Sequence, residues 1–249
     1  MKIHVRVVLF SIAIILALFS CAKREKPVLR VGTGPDYPPY SYLNGGVLEG
    51  IDVDIAQRIA EKMKVEIRIT PMSFDSLFSS LASDKIDMVI SSITITPERQ
   101  QRFDFSPPYA VTNQVLIAKN DSSIKIDSFE DLGKYTIGSL AATTGYKYLA
   151  EHLVNRDLMP KANLKQYPTT SESLTELLEG NVDFVSIDYS AAKGYEKLKP
   201  IKIVYTIQTN EAYGIAMQKG RSINETISKS LKELISSGEV KRIIQSYTK

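Results

Sequence analysis

The pattern that most restricts the fold is an alternation of strand-like and helix-like segments that runs once, stops at a pair of prolines, and starts again. Leu29-Arg30-Val31-Gly32-Thr33 is rich in β-forming residues and leads into a Pro/Gly/Tyr segment, Gly34 to Tyr40, that reads as a loop. Ile51, Ile55, Ile59 and Met63, with Ala56 and Ala60, recur at helical spacing and predict a helix of about three turns. Val65 to Thr70 alternates apolar and polar residues as a strand does. Phe74, Leu77, Phe78 and Leu81 form a second helical stripe, and Ile86 to Ser91 reads as a buried strand. After Pro107-Pro108, strands are expected at 114–118, 135–139, 164–167, 182–187 and 201–205, with helical segments between them. Two further stripes, Ile223/Ile227/Leu231/Leu234 and Val240/Ile243/Ile244/Tyr247, are separated by Gly238, a natural helix break. The expected class is α/β, with two open, largely parallel sheets that carry helices on their faces.

A shift of 96 residues superimposes Phe78 on Leu174, Leu81 on Leu177, Ile86 on Val182 and Asp87 on Asp183. Each copy is an amphipathic helix, a polar turn, and a strand opening with an apolar residue and Asp. The same shift carries Ser92 onto Asp188, so both residues sit just past the C-terminal end of a strand, where open α/β sheets bind ligands. Two such edges imply one cleft between two lobes. Chance likeness of two helix–strand units accounts for the echo equally well from the residues alone.

Composition removes several functions. The 249 residues are 43% hydrophobic and 24% charged, enough to build buried cores and incompatible with a disordered chain. With 31 basic and 28 acidic residues there is no lopsided basic face of the kind nucleic acids need. A lone cysteine excludes an internal disulfide and a Cys-rich metal site, His4 and His152 leave little for histidine chemistry, and no metal or cofactor is expected.

That cysteine stands in an informative place. Lys2 and Arg6 precede a run of 14 uncharged residues, Val7 to Ser20, too short for the roughly 20 residues of a spanning helix. A charged start with a short apolar run reads as a secretory signal peptide over 1–20. Leu18-Phe19-Ser20-Cys21 resembles a bacterial lipobox, which makes Cys21 the lipidated N-terminus of the mature protein, with 21–27 as a tether. Phe19 is bulkier than usual there. Ordinary signal cleavage is the alternative.

The most informative stretch is Ser91-Ser92-Ile93-Thr94-Ile95-Thr96-Pro97-Glu98-Arg99. Thr96 reads as an N-cap and Pro97 as the first helical residue, so the turn offers hydroxyls, free N–H groups and the positive end of a helix to an anion. Arg99 adds a two-pronged donor suited to a carboxylate. An ordinary capped helix with a solvated Arg is the simpler reading of that segment taken alone.

The order G-x-x-Y-P-P-Y, G-I-D-V-D, F-D-S-L, S-S-I-T-I-T-P-E-R and F-D-F-S-P-P-Y resembles family 3 of the extracytoplasmic solute-binding proteins, the amino-acid receptors of ABC importers. The likeness continues through Ala142-Thr143-Thr144-Gly145, Asn181 to Asp188 and Tyr213-Gly214-Ile215-Ala216, and covers nearly the whole chain from Leu29. The resemblance implies a monomeric clamp that closes on one free amino acid, without catalysis, and presents it to an importer permease. It places Arg99 on the ligand α-carboxylate with Ser92, Thr94 and Thr144 as further donors. It places Asp188 on the α-ammonium, and Tyr37 and Phe74 as walls around the ligand side chain. Asp188 also reads as the N-cap of a following helix, and Phe74 also reads as core.

Gly34 stands where relatives often carry an acid or amide, and Leu140 and Ile187 stand near positions that are polar in some of them. Asp36 and Asp52 remain as candidates for contact with a polar side chain, Asp52 equally as a helix cap. A neutral polar ligand is therefore expected, a basic amino acid such as arginine being the alternative. A clamp-fold enzyme resembling cyclohexadienyl dehydratase is a third reading. The resemblance divides the chain into one lobe from 28–111 and 214–249 and another from 112–213, placed outside the cytoplasm and held to a membrane by the lipid.

Overall fold

The computed structural model describes residues 26–248, so the leader and lipidation expectations, Cys21 included, lie outside the described residues. Among the described residues no helix is long and apolar enough to cross a membrane. The chain runs through β1 (Val28–Thr33), the short strands β2 (Asp36–Tyr37), β3 (Ser41–Asn44) and β4 (Val47–Glu49), α1 (Ile51–Met63), β5 (Glu66–Pro71) and α2 (Phe74–Ala82). It continues through β6 (Met88–Val89), α3 (Pro97–Arg102), β7 (Phe103–Phe105), β8 (Ala110–Lys119), β9 (Ile137–Leu140), α4 (Thr144–Leu149) and β10 (Leu164–Tyr167). The remainder is α5 (Thr170–Glu179), β11 (Phe184–Asp188), α6 (Tyr189–Glu196), β12 (Ile201–Tyr213), β13 (Ala216–Gln218), α7 (Ile223–Ser236) and α8 (Glu239–Thr248).

Two five-stranded sheets result, ordered β5-β1-β6-β13-β7 and β10-β9-β11-β8-β12, with β2-β3-β4 as a small third sheet. Both large sheets are covered on both faces, which explains the apolar runs in their strands. Met88 packs with Leu29, Val31, Ile55, Ile59, Leu231 and Val240, beneath α1, α7 and α8. Its neighbour Val89 points the other way, to Leu77 and Leu81 of α2. In the second sheet Val115 and Ile117 face Leu174 and Ala191, while Leu116 and Ala118 face Leu149 and Phe184. Each such Val, Leu, Ile, Met or Phe side chain, once buried, contributes about 1.5–3 kcal/mol.

The parallel pairings are β5-β1-β6 and β10-β9-β11, and the other pairings in both sheets are antiparallel. The sheets are therefore mixed, since β8, β12 and β13 belong to the segments that cross between lobes and must run back along their neighbours. Those segments also exceed the expected strands. β8 begins at Ala110 and β12 ends at Tyr213, and the extra residues pair with one another as Ala110↔Tyr213, Val111↔Ala212 and Thr112↔Glu211. The two connections between the sheets thus form one hydrogen-bonded ribbon. Conversely, the strand expected at 86–91 pairs only at Met88–Val89, because the chain turns away at Ser91-Ser92 to shape the cleft.

The echo between the halves has a physical counterpart. The Asp87 carboxylate accepts the Arg30 N–H at 2.8 Å, while the Asp87 N–H donates to the Arg30 carbonyl. The Asp183 carboxylate accepts the Thr136 N–H at 2.8 Å, and its N–H donates to the Thr136 carbonyl. Each Asp ties the entry of its strand to the start of the sheet.

Candidate functional site

Past the C-terminal ends of β1, β6, β9 and β11 lies a cleft with about 630 Å³ of atom-free space, part of it open to solvent. On the first-sheet side, Ser92 adopts a left-handed backbone, φ 49°, an uncommon state for a residue with a side chain. The conformation is fixed from behind by Asp52, whose Oδ2 accepts the Ser92 N–H at 2.8 Å and whose Oδ1 accepts the Tyr109 hydroxyl at 2.7 Å. Asp52 is fully buried, and burial pushes its carboxyl up to about 7 although both donors pull the other way. It lies outside the residues lining the cleft, which corrects the expectation that it contacts ligand. It is not the cap of α1 either, for it sits inside the first turn behind Gly50.

Thr96 caps α3 as expected, its Oγ1 accepting the Arg99 N–H at 3.2 Å, with Pro97 at the first helical position. The cap aims Arg99 at the cleft. Its Nη1 donates to the Thr94 carbonyl at 2.9 Å and its Nη2 to the Ala142 carbonyl, on the opposite lobe, at 3.4 Å. The guanidinium lies over the Phe74 and Phe78 rings, 5.9 and 5.1 Å from their centroids. Phe74 lines the cleft and also packs on the core beneath α2. Among the described residues Arg99 has no ion-pair partner, and burial lowers its pKa against the opposing influence of Glu211, Glu98 and Asp188.

On the second side, Asp188 ends β11 and is buried. Although it occupies the N-cap position of α6, its side chain makes no capping bond. The carboxylate is instead held by three neutral donors, the Tyr37 hydroxyl at 2.7 Å, the Tyr213 hydroxyl and the Gln114 side-chain amide. Burial and the nearby Glu211 push it up to about 7 against those donors. Thr144 opens α4 behind Ala142, another left-handed residue at φ 62°.

Tyr37, Phe74, Ser92, Thr94, Arg99, Thr144, Asp188 and Asp36 all line the cleft, as do Gly34, Leu140 and Ile187. Tyr37 contributes its hydroxyl to Asp188 as well as its ring. The carboxylate of Asp36 faces the second lobe, accepting the Thr170 N–H at 2.8 Å.

Sequence reasoning missed Gln114, Tyr213 and Glu211. Glu211 is buried and accepts the hydroxyl protons of Thr94 at 2.7 Å and Thr144 at 2.6 Å, joining the two sides. Strand alternation from Tyr213 places Glu211 on the same face, so a signal existed once β12 was known to extend that far. Thr170, Ser173 and Ser186 complete the wall, and the Thr170, Ser186 and Ser92 hydroxyls have no protein partner. Among the described residues no group of three or more His, Cys, Asp or Glu is placed to hold a metal ion.

Residues 29–249 match the family described as bacterial extracellular solute-binding proteins, family 3. The chain is 29% identical to the arginine-binding extracellular protein ArtP of Bacillus subtilis over 94% of each chain. It is similar to an ancestral arginine-binding protein solved with arginine, at TM-score 0.82 and 36% identity over 91% of this chain and 100% of that one. An ancestral arginine-binding protein solved with glutamine gives TM-score 0.81 and 34% identity over 90% and 99% of the two chains. The two mixed sheets with flanking helices, facing each other across a single cleft, are the two-lobe clamp of these amino-acid-binding proteins. The chain belongs to family 3 of the bacterial extracellular solute-binding proteins.

Proposed function

We propose that this protein captures one free amino acid between its lobes and delivers it, unaltered, to the permease of an ABC importer. One observation carries the reading: a half-buried cationic group, Arg99, and a buried anionic group, Asp188, face the same cleft without pairing with each other. Arg99 is held by carbonyls and aromatic rings, and Asp188 by three neutral donors. A zwitterion supplies the missing counter-charge to both, its carboxylate at Arg99 and its ammonium at Asp188. Residues 28–111 with 214–249, and residues 112–213, are the two bodies that close on it, hinged at the paired ribbon of β8 and β12.

For the ligand side chain we favour a neutral polar group. Gly34 presents no acid, the Asp36 carboxylate is engaged by the Thr170 N–H, and the unpartnered Thr170 and Ser186 hydroxyls are suited to an amide or hydroxyl. The arginine relative and the arginine-bound structure support the alternative of a basic ligand. A protein that only binds needs no acid–base pair beyond the two groups that hold the zwitterion, so a dehydratase-type reaction is not required by any residue of the cleft. Lipidation at Cys21 and extracytoplasmic anchoring as a monomer complete the proposal.

A thermal-shift screen of residues 22–249 against the twenty amino acids tests it, because a ligand specific to the folded state raises the unfolding midpoint. Mass spectrometry should recover the stabilising amino acid unchanged. No shift with any amino acid, or recovery of a converted product, defeats the reading.

A further inference from the structure

The contacts that join the lobes fall into two groups. Those around Arg99, Thr94, Thr144 and Asp188 surround the position of the ligand's charged ends. The others are made by Asp36 and Pro38, on either side of Tyr37, toward the helices α5 and α6. Asp36 Oδ2 accepts the N–H of Thr170, the first residue of α5, at 2.8 Å, and the Ser171 N–H also stabilises the carboxylate. Thr169, the cap within α5's own lobe, reaches only the Glu172 N–H, at 3.1 Å. The first two N–H groups of α5 are thus satisfied from across the cleft. The main-chain carbonyl of Asp36 accepts the Tyr195 hydroxyl of α6. Beside it on α6, the Pro38 carbonyl sits against Gly194, so closely that a Cβ at 194 would stand 2.6 Å from its oxygen.

We infer that Asp36 to Pro38 is a latch: a first-lobe segment that caps α5 and fills the glycine notch of α6 only when the clamp is shut. The inference rests on the clamp reading above. Asp36 is then a positioning residue acting through lobe closure, and its carboxylate is spent on α5, leaving the ligand side chain to the hydroxyls of Thr170 and Ser186. Opening the clamp strips two helix N–H groups of their acceptor and removes the Tyr195 bond. The latch therefore weights the equilibrium toward closure before any ligand contact is counted, and strengthens every ligand by the same factor.

The test compares the wild type with Asp36→Ala, Asp36→Asn and Gly194→Ala, using L-glutamine and L-arginine as probes. Loss of a helix cap corresponds to about a tenfold effect, so Asp36→Ala should weaken both amino acids about tenfold, through faster dissociation, and leave their ratio unchanged. Asp36→Asn keeps an acceptor oxygen and should fall between. Gly194→Ala separates the latch from ordinary stability, since alanine favours the helix while its methyl obstructs Pro38. It should keep or raise the unfolding midpoint of the ligand-free protein and still weaken both probes. Small-angle scattering of the ligand-free protein should give a larger mean radius for Asp36→Ala and Gly194→Ala than for the wild type.

A selective loss of arginine binding in Asp36→Ala would make Asp36 a ligand contact and overturn the latch, as would Gly194→Ala binding both probes with wild-type affinity. Failure of the wild type to bind any amino acid counts against the binding reading alone. The ligand-free radii then decide the latch, and equal radii overturn it.

Discussion

Tyr37 and Asp188 stand 151 residues apart in the chain and meet across the cleft in a reciprocal pair: the phenol donates to Oδ2 at 2.7 Å, and the Asp188 N–H donates to the phenol oxygen at 3.2 Å. A single hydroxyl therefore ties the lobes together and holds the Asp188 carboxylate in place. Tyr37→Phe keeps the ring against the ligand and removes both bonds. Affinity for the amino acid identified by screening should fall about ten- to a hundredfold, the effect of a hydrogen bond to a charged group. Unchanged affinity in titration calorimetry would reduce Tyr37 to an apolar wall.

Arg99→Ala and Asp188→Asn should each abolish detectable binding while leaving a cooperative unfolding transition. Removing one side of a buried charged contact costs about 2–5 kcal/mol, well over tenfold in affinity. The ligand-free stability of Asp188→Asn should match or exceed that of the wild type, because the variant no longer buries a carboxyl pushed up to about 7. Wild-type affinity in either variant removes that residue from the site.

Asp52 and Asp188, both raised to about 7, make the ligand-free protein sensitive to pH. Their folded-state values lie above the ordinary 3.8, so folding binds protons. The stabilisation is full below the ordinary value and is lost as pH rises through about 7. The unfolding midpoint of the wild type should fall between about pH 4 and about pH 7, and Asp52→Asn should fall less steeply over that window. Parallel curves for the two proteins would mean that Asp52 ionises normally.

Gly34→Asp should move selectivity toward basic amino acids. The residue lines the cleft, and a Cβ there would meet only the Ser91 Oγ at 3.2 Å and the Met72 carbonyl at 3.9 Å, a crowding that a small shift of Ser91 relieves. An added carboxylate near the side-chain wall should raise affinity for arginine relative to glutamine by tenfold or more, the order expected of a well-placed charged contact. An unchanged ratio would place the ligand side chain away from Gly34.

Much of this was legible in the chain because it is local. The helix at Ile51–Met63, the cap Thr96-Pro97 and the break at Gly238 follow from periodicity and capping chemistry, which depend on neighbours a few residues away. The strand ends that carry Ser92 and Asp188 follow from the alternation, and eight of the nine proposed ligand residues line the cleft.

What the sequence could not decide depended on partners far along the chain. Asp52 reads equally well as cap or ligand contact, and only packing against Ser92 and Tyr109 turned it into the buried support of a strained turn. Glu211 had no local mark, yet the pairing of β8 with β12 brings it onto Thr94 and Thr144. Asp36 reads from the chain as a ligand contact, and only the fold brings α5 of the other lobe to donate to its carboxylate. The sequence by itself determined the elements and the charged groups at their ends, since propensity and caps act over short range. Tertiary structure alone decided which carboxylate meets which donor, because a buried charge takes its role from whatever the fold places beside it.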